Sequence, residues 1–308
     1  MKSLLTHKWS VILIAIFCSI LWGSAFPALK VSYVELNMIP DDSMAKVVFA
    51  GMRFLLAGLI LIVGMLFIQR KALLVTRRQI AVILLFGLIQ TALQYFFFYN
   101  GLAKTTGIQG AILSSSGTFI TVLLAHYFYV NDKMSWQKVV GLLAGFTGII
   151  IANWGQELEL SFQFTGEGFM ILAGLTSAIG TIMAKELATG IHPVALTGWQ
   201  LTIGGIIMLI VGVPFMQEND HNIPLMVWYA AEPFMQENAI EFTPFGWGLL
   251  IYLALVSAVA FALWVSILKY NKAGEISIYK FAVPISGAVL SALFIPNEQL
   301  SWLVMAAL

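Results

Sequence analysis

Long apolar segments, separated by short stretches that carry most of the charge, follow one another along the whole chain. Their limits are about 9–29, 47–68, 79–101, 108–130, 136–154, 168–186, 194–214, 245–268, 275–295 and 302 onward. A helix of about 20 apolar residues spans the hydrocarbon core of a bilayer. Because backbone groups in lipid must be hydrogen-bonded within the protein, the pattern predicts ten transmembrane helices and an all-α polytopic membrane protein.

The ten segments form two related sets of five. The turn at 131–136, Asn-Asp-Lys-Met-Ser-Trp, recurs at 297–302 as Asn-Glu-Gln-Leu-Ser-Trp. Lys30, which closes the first segment, matches Lys185, which closes the sixth. Since five is an odd number, the second set enters the membrane from the opposite side. The sequence therefore predicts two inverted five-helix repeats, at 1–155 and 166–308.

The second repeat differs from the first in two places. The hexapeptide Pro-Phe-Met-Gln-Glu-Asn occurs twice, at 214–219 and 233–238, which predicts an insertion at about 215–243 in the loop before the eighth helix. This insertion is either a tolerated loop expansion or a surface helix in the membrane interface. The tenth segment has seven residues from Trp302 to Leu308, a rise of about 10 Å, so we expect the last helix to be truncated.

Composition and charge agree with a membrane protein and predict its orientation. With 60% hydrophobic and 10% charged residues, the chain lacks the composition of a soluble globular domain. Eleven of the 16 basic residues fall on the side of the N-terminus, whereas only Lys30, Lys46 and Lys104 fall on the other. By the positive-inside rule, the N-terminus is expected in the cytoplasm and the protein in the cell membrane.

Three short motifs resemble those of a known family of carriers. Residues 22–26, Trp-Gly-Ser-Ala-Phe, precede Lys30 in the first helix, and residues 53–58, Arg-Phe-Leu-Leu-Ala-Gly, lie in the second. Together with the acid-containing turns at Asp132 and Glu298, these motifs resemble the drug/metabolite transporter superfamily, in its EamA-type ten-helix carriers. The resemblance covers almost the whole chain. It implies a central cavity lined mainly by helices one, three, four, six, eight and nine.

Two charged side chains fall within predicted spans, where a charge is a candidate for function. Lys280 lies a short distance inside one end of helix nine. It either extends to the lipid headgroups or faces the cavity, where it would suit a carboxylate of the substrate. Arg53 lies near one end of helix two, which the family places away from the centre of the cavity. We expect Arg53 to anchor the helix at the interface rather than to contact substrate.

Uncharged polar and aromatic residues supply the other candidates. Gln90 and Gln94 share a face of helix three, and they either tie helices together or line the cavity. Trp22 and Trp264 are either cavity walls or members of an interfacial aromatic belt. The remaining cavity candidates are Tyr95, Ser115, Thr181 and Tyr279, and the matched positions Gly117 and Pro284 are candidate hinges.

The two inverted repeats predict an alternating-access carrier. The resemblance implies a small polar or amphipathic metabolite as substrate, with an amino acid or a related compound as first candidate, and export as direction. The expected partners are the small-molecule substrate and the lipid bilayer, without nucleic acid, and a homodimer stays open. No cofactor or metal is expected, because the sequence has no P-loop and no Cys/His cluster. The predicted spans contain no deep carboxylate, so facilitated and proton-coupled transport both stay open.

Three alternatives remain at this stage. Efflux of apolar or cationic drugs is favoured by the many aromatic residues. A membrane enzyme acting on lipid-linked substrates would need paired acids, a nucleophile with a base, or a metal set, and the predicted spans show none of these. The third alternative is a membrane partner protein that transports nothing.

Overall fold

The computed structural model describes residues 2–36, 38, 43–102, 104–105, 113–152, 162–212 and 243–295. The turn at 297–302, the tenth apolar segment and the duplicated hexapeptide lie outside these residues. The predictions made for them are therefore neither confirmed nor contradicted.

The described residues form nine long helices. Their bounds are α1 Lys8–Glu35, α2 Ser43–Gln69, α3 Arg77–Leu102, α4 Ser116–Phe128, α5 Trp136–Ala152, α6 Phe164–Gly190, α7 Pro193–Gly212, α8 Pro244–Tyr270 and α9 Ala273–Phe294. Each of the first nine predicted segments overlaps one of these helices. Seven of them, all but α4 and α5, are long and apolar enough to cross a membrane. The prediction of an all-α polytopic membrane protein is confirmed.

Two of the helices depart from α-helical geometry partway along their length. In α3 the residues Leu88–Leu93 form a π-helical turn, and in α9 the residues Ile278–Phe281 form a 3₁₀ turn. Pro284 lies three residues beyond the 3₁₀ turn. It has no N–H to donate to the carbonyl of Lys280, so the regular α-helical bond cannot form there. Such interruptions frequently occur at functional sites, and these two contain Gln90 and Lys280.

Successive helices run in opposite directions, so the bundle has two ends. We call the end with Lys8 and the α4–α5 and α8–α9 turns the Lys8 face. At this face Asn271 Nδ2 donates to the carbonyl of Leu5 at 2.8 Å. The opposite end is the Glu35 face, where Thr243 donates a hydrogen bond to Glu35. Each helix therefore runs between the Lys8 face and the Glu35 face.

Helices α2 and α7 pack closely through glycines. A Cβ atom on Gly51 would lie 3.1 Å from the carbonyl oxygen of Gly205, and one on Gly198 would lie 3.5 Å from the carbonyl oxygen of Gly58. Gly198 and Gly205 follow Gly51 and Gly58 by the same 147 positions. The contact between α2 and α7 is therefore approximately two-fold symmetric, because the two glycines of each helix pair with the two equivalent glycines of the other. Small residues allow helix backbones to approach this closely.

Two further close contacts each join a helix of one predicted repeat to a helix of the other. A Cβ on Gly287 of α9 would lie 3.5 Å from the carbonyl oxygen of Gly23 in α1. A Cβ on Gly117 of α4 would lie 3.1 Å from the carbonyl oxygen of Gly174 in α6. The first helix of each predicted repeat thus packs against the fourth helix of the other. Gly117 therefore has a packing contact, and its predicted role as a hinge stays a prediction.

Candidate functional site

Lys280 lies inside the bundle, between α1, α6, α8 and α9. Its Nζ atom is 3.4 Å from the Thr181 hydroxyl of α6. It also lies 5.0 Å from the ring centroid of Trp264 and 6.0 Å from that of Trp22. Among the described residues no carboxylate forms an ion pair with it. We call Lys280, Thr181, Trp22 and Trp264 the lysine site.

The two tryptophans form one wall of the lysine site. Their ring centroids are 5.3 Å apart and the rings meet edge to face, at 61°. Trp264 is only 3% exposed, so it lies within the bundle rather than in an interfacial belt. The indole Nε1 atoms of both residues are buried without a hydrogen-bond acceptor among the described residues. Because a buried N–H donor without an acceptor is costly, the pair is suited to an acceptor supplied by a ligand.

Gln90 brings an acceptor to the same region from α3, and Gln94 follows it by one turn on the same helix. Gln90 is 7% exposed and packs directly over Gly180, the residue before Thr181, where a Cβ would overlap its amide. The Oε1 atoms of both glutamines are buried without a donor among the described residues. The lysine site thus offers an ammonium group and two indole N–H groups, with amide oxygens on a neighbouring helix. The ammonium and indole groups can bind a negatively charged group, and the amide oxygens can bind a positively charged one.

The remaining predicted site residues are spread more widely. The backbone carbonyl of Tyr279 accepts a hydrogen bond from the Ser19 hydroxyl at 3.0 Å, which ties α9 to α1. Ser115 directly precedes α4, where its carbonyl accepts from the Thr118 N–H at 2.9 Å. Pro284 follows the 3₁₀ turn of α9. Tyr95 lies with a different cation, Arg53.

The expectation that Arg53 anchors α2 at the membrane interface is wrong. Arg53 is only 4% exposed, and its guanidinium lies 4.3 Å from the ring centroid of Phe54 and 5.9 Å from that of Tyr95. One helical turn to either side, Phe49 and Ala57 are fully buried, so Arg53 belongs to the inward face of α2. The shared helix face with these buried residues was the signal that could have placed Arg53 inside the bundle. Its closeness to the end of the helix suggested the interface instead.

A run of aromatic contacts connects the lysine site with Arg53. Trp22 contacts Phe261 at a centroid distance of 5.3 Å, and Phe261 contacts Phe54 at 6.3 Å. Phe54 in turn contacts Tyr95 at 4.5 Å. We call Trp22, Phe261 and Phe54 the aromatic ladder. Phe261 was missed in the sequence because it stands in an apolar run, where no residue type marks the inward face. Phe54 was missed because its neighbour Arg53 was expected at the interface.

At the Lys8 face a buried ion pair fixes the start of α9. Asp132 Oδ1 lies 2.5 Å from Lys138 Nζ, with the two side chains 1% and 4% exposed. Asp132 Oδ2 accepts a hydrogen bond of 2.8 Å from the N–H of Gly274, the second residue of α9. The repeated turn at 131–136 therefore holds the helix that carries Lys280.

A second group of contacts lies beside this ion pair. Lys185 Nζ donates to the carbonyls of Leu268 and Asn271 at the end of α8, where a cation is favoured. Tyr129 donates a 2.7 Å hydrogen bond to Glu186. Burial, with this hydrogen bond as a smaller cause, raises the pKa of Tyr129, so the phenol stays protonated at neutral pH. Helices α4, α6 and α8 are thus joined at the Lys8 face.

Known proteins resemble this chain over most of its length. It is 24% identical over 276 residues to an uncharacterized transporter of Bacillus subtilis, YetK, covering 88% of this chain and 78% of that one. It is 28% identical over 245 residues to an uncharacterized transporter of Synechocystis, covering 73% and 67%. A chloroplastic WAT1-related protein of Arabidopsis thaliana is 26% identical over 210 residues, covering 67% and 47%.

The fold and the family are shown by two further matches. A protein of known crystal structure superimposes with a TM-score of 0.71 at 15% identity, over 98% of this chain and 94% of that one. The sequence profile of the EamA-like transporter family matches twice, at residues 9–154 and 164–308. The chain is therefore a multi-pass membrane protein and belongs to the EamA-like transporter family.

Proposed function

We propose that this carrier exports a small amphipathic metabolite with an anionic group, and that the first class to consider is amino acids and related compounds. The observation that carries the proposal is the position of Lys280 inside the bundle, beside two indole N–H groups without acceptors among the described residues. A charge within a membrane span is costly and usually serves an ion or substrate. A carboxylate would neutralise the ammonium and accept from the indoles.

The surroundings of Lys280 suit the rest of an amino acid. The rings of Trp22 and Phe261 offer an apolar surface for a side chain. The amide oxygens of Gln90 and Gln94 offer acceptors for an ammonium group. A carboxylate, an amine and an apolar body on one small molecule would use all three features.

Alternating access is supported by the relation between the two halves of the chain. The family profile matches each half separately. The contact between α2 and α7 is approximately two-fold symmetric in its glycines. Two inverted repeats, at 1–155 and 166–308, would rock against each other around the lysine site between them. The excess of basic residues at the Lys8 face favours this face as the cytoplasmic one in the cell membrane.

The test is counterflow of radiolabelled amino acids into proteoliposomes that contain the full chain. Wild-type protein should exchange at least one member of the panel, and Lys280→Met should lower its rate about tenfold to hundredfold, as for loss of a hydrogen bond to a charged group. The control is Lys272→Met, which removes an exposed lysine of the α8–α9 turn. Exchange of no amino acid, or equal rates for the two variants, would refute the proposal.

Efflux of cationic drugs is the second candidate, favoured by the aromatic ladder, because cations bind to aromatic faces. Two cations inside the bundle, Lys280 and Arg53, oppose it by repulsion. Ethidium accumulation in cells that express the chain separates the two candidates. Lower accumulation than in cells that lack the chain would favour the drug carrier, whereas equal accumulation would favour the anionic metabolite.

A further inference from the structure

The lysine site leaves a second buried cation without a role. Arg53 is 4% exposed, and its Nε has no hydrogen-bond acceptor among the described residues. No described carboxylate pairs with it. Among the described residues, the rings of Phe54 and Tyr95 face the guanidinium. Neither ring carries a negative charge.

The fold does not need a charge at this position. Gln200 of α7 follows Arg53 by the same 147 positions that relate the glycines of α2 and α7. Gln200 is fully buried and neutral, and its Nε2 donates to the Thr91 hydroxyl at 3.1 Å. An amide therefore fills the equivalent place in the same helix pair. Cation–π contacts stabilise a desolvated guanidinium, but by less than burial of its charge costs.

The depth of Arg53 separates it from the lysine site. Arg53 lies ten residues into α2, about 15 Å from the Glu35 face, whereas Lys280 lies seven residues into α9, about 10 Å from the Lys8 face. Helix α2 has 27 residues and spans about 40 Å, so the backbone positions of the two residues differ in depth by about 15 Å. The aromatic ladder lies between the two charged groups, since Trp22 faces Lys280 at one end and Phe54 faces Arg53 at the other.

We propose that Arg53 is a second binding position for the anionic group of the substrate, between the lysine site and the Glu35 face. The proposal rests on the proposed function and adds a second binding position to the same transport pathway. The anionic group binds Lys280 at one depth and Arg53 at the other, while its apolar body moves along the rings of the aromatic ladder. Tyr95 completes the Arg53 position.

Binding of radiolabelled phenylacetate to the purified full chain tests this without transport. Phenylacetate has one ring and one carboxylate, and phenethylamine, the matched control, has the ring without an acid. Lys280→Met should still bind phenylacetate, and adding Arg53→Gln should weaken that binding at least tenfold. Adding Arg53→Lys instead should restore most of it, because the positive charge returns. Phenethylamine should bind to none of these proteins.

The outcomes separate this inference from the proposed function. If Lys280→Met abolishes binding that the wild type shows, the lysine site is the only anion position and the inference is wrong. Equal affinity of Lys280→Met with and without Arg53→Gln would also overturn it, as would the absence of phenylacetate binding to the wild type. The amino-acid exchange experiment decides the proposed function independently. A monodisperse elution profile of each variant shows that Arg53→Gln, which copies Gln200, leaves the fold intact.

Discussion

Replacing Asp132 should destabilise the protein more than replacing any exposed acid. Lys138 Nζ lies 2.5 Å from Asp132 Oδ1 and also donates to the carbonyls of Asp132 and Lys133, at 2.9 and 2.8 Å. Asp132→Asn keeps the shape of the side chain and removes its charge. The buried ammonium of Lys138 then has only neutral acceptors.

The expected loss follows from the burial of the pair. Breaking a buried ion pair by removing one partner costs about 3–5 kcal/mol. Asn keeps an oxygen that accepts from the Gly274 N–H, so we expect about 3 kcal/mol for Asp132→Asn. Asp132→Ala also leaves that N–H without an acceptor, which adds about 1–3 kcal/mol. The control is the pair Lys272–Glu275, which is 44% and 52% exposed, and for which Glu275→Gln should cost less than about 1 kcal/mol.

The free energy of unfolding can be measured by titrating detergent-solubilised protein with sodium dodecyl sulfate and following helix content. The reasoning is refuted if Asp132→Asn loses no more stability than Glu275→Gln. Combining Asp132→Asn with Lys138→Met should be less destabilising than the sum of the two single changes, because no unpaired charge stays buried. Additive losses would show that the two side chains do not interact in the folded protein.

Two further predictions concern packing and pH. Gly58→Leu should abolish the monodisperse elution peak of the purified protein, because a Cβ there would lie 2.5 Å from the backbone nitrogen of Thr202. The control is Gly64→Leu in the same helix, which should preserve the peak because nothing lies within 4 Å of a Cβ at that position. Burial, with the charge of Lys269 as a smaller cause, lowers the pKa of His192 below its ordinary 6.5. The unfolded chain then binds this proton more readily, so stability should fall as pH drops below 6.5, and His192→Gln should flatten the dependence of melting temperature on pH. Identical pH profiles for wild type and His192→Gln would contradict this assignment.

The helices were predictable because the thickness of a bilayer sets their length. Runs of about 20 apolar residues are rare outside membrane spans, and each of the first nine predicted runs overlaps a helix. The ends differ by a few residues. Helix α2 begins at Ser43, four residues before the predicted 47, because a helix continues past the hydrocarbon core where its residues are no longer strongly apolar.

The site was predictable only where polarity marked it. Lys280, Thr181 and Gln90 are unusual in apolar helices, since lipid does not satisfy polar groups, and the structure brings all three into one region. Phe54 and Phe261 carry no such mark. A helix that is apolar all round gives no preferred direction, so its inward face depends on packing against neighbours that the sequence does not specify.

The repeated turn at 131–136 and the lysine site are parts of one arrangement. The first nine residues of α9 are held at three points: the Gly274 N–H by Asp132, the Tyr279 carbonyl by Ser19, and the Lys280 ammonium beside Thr181. The 3₁₀ turn Ile278–Phe281 lies within this stretch. Because its own helical bonds are irregular there, the position of the Lys280 side chain depends on these three contacts, which come from α1, α6 and the α4–α5 turn. A movement of that turn would therefore shift Lys280 relative to Trp22 and Trp264, which links the motif at the Lys8 face to the cation inside the bundle.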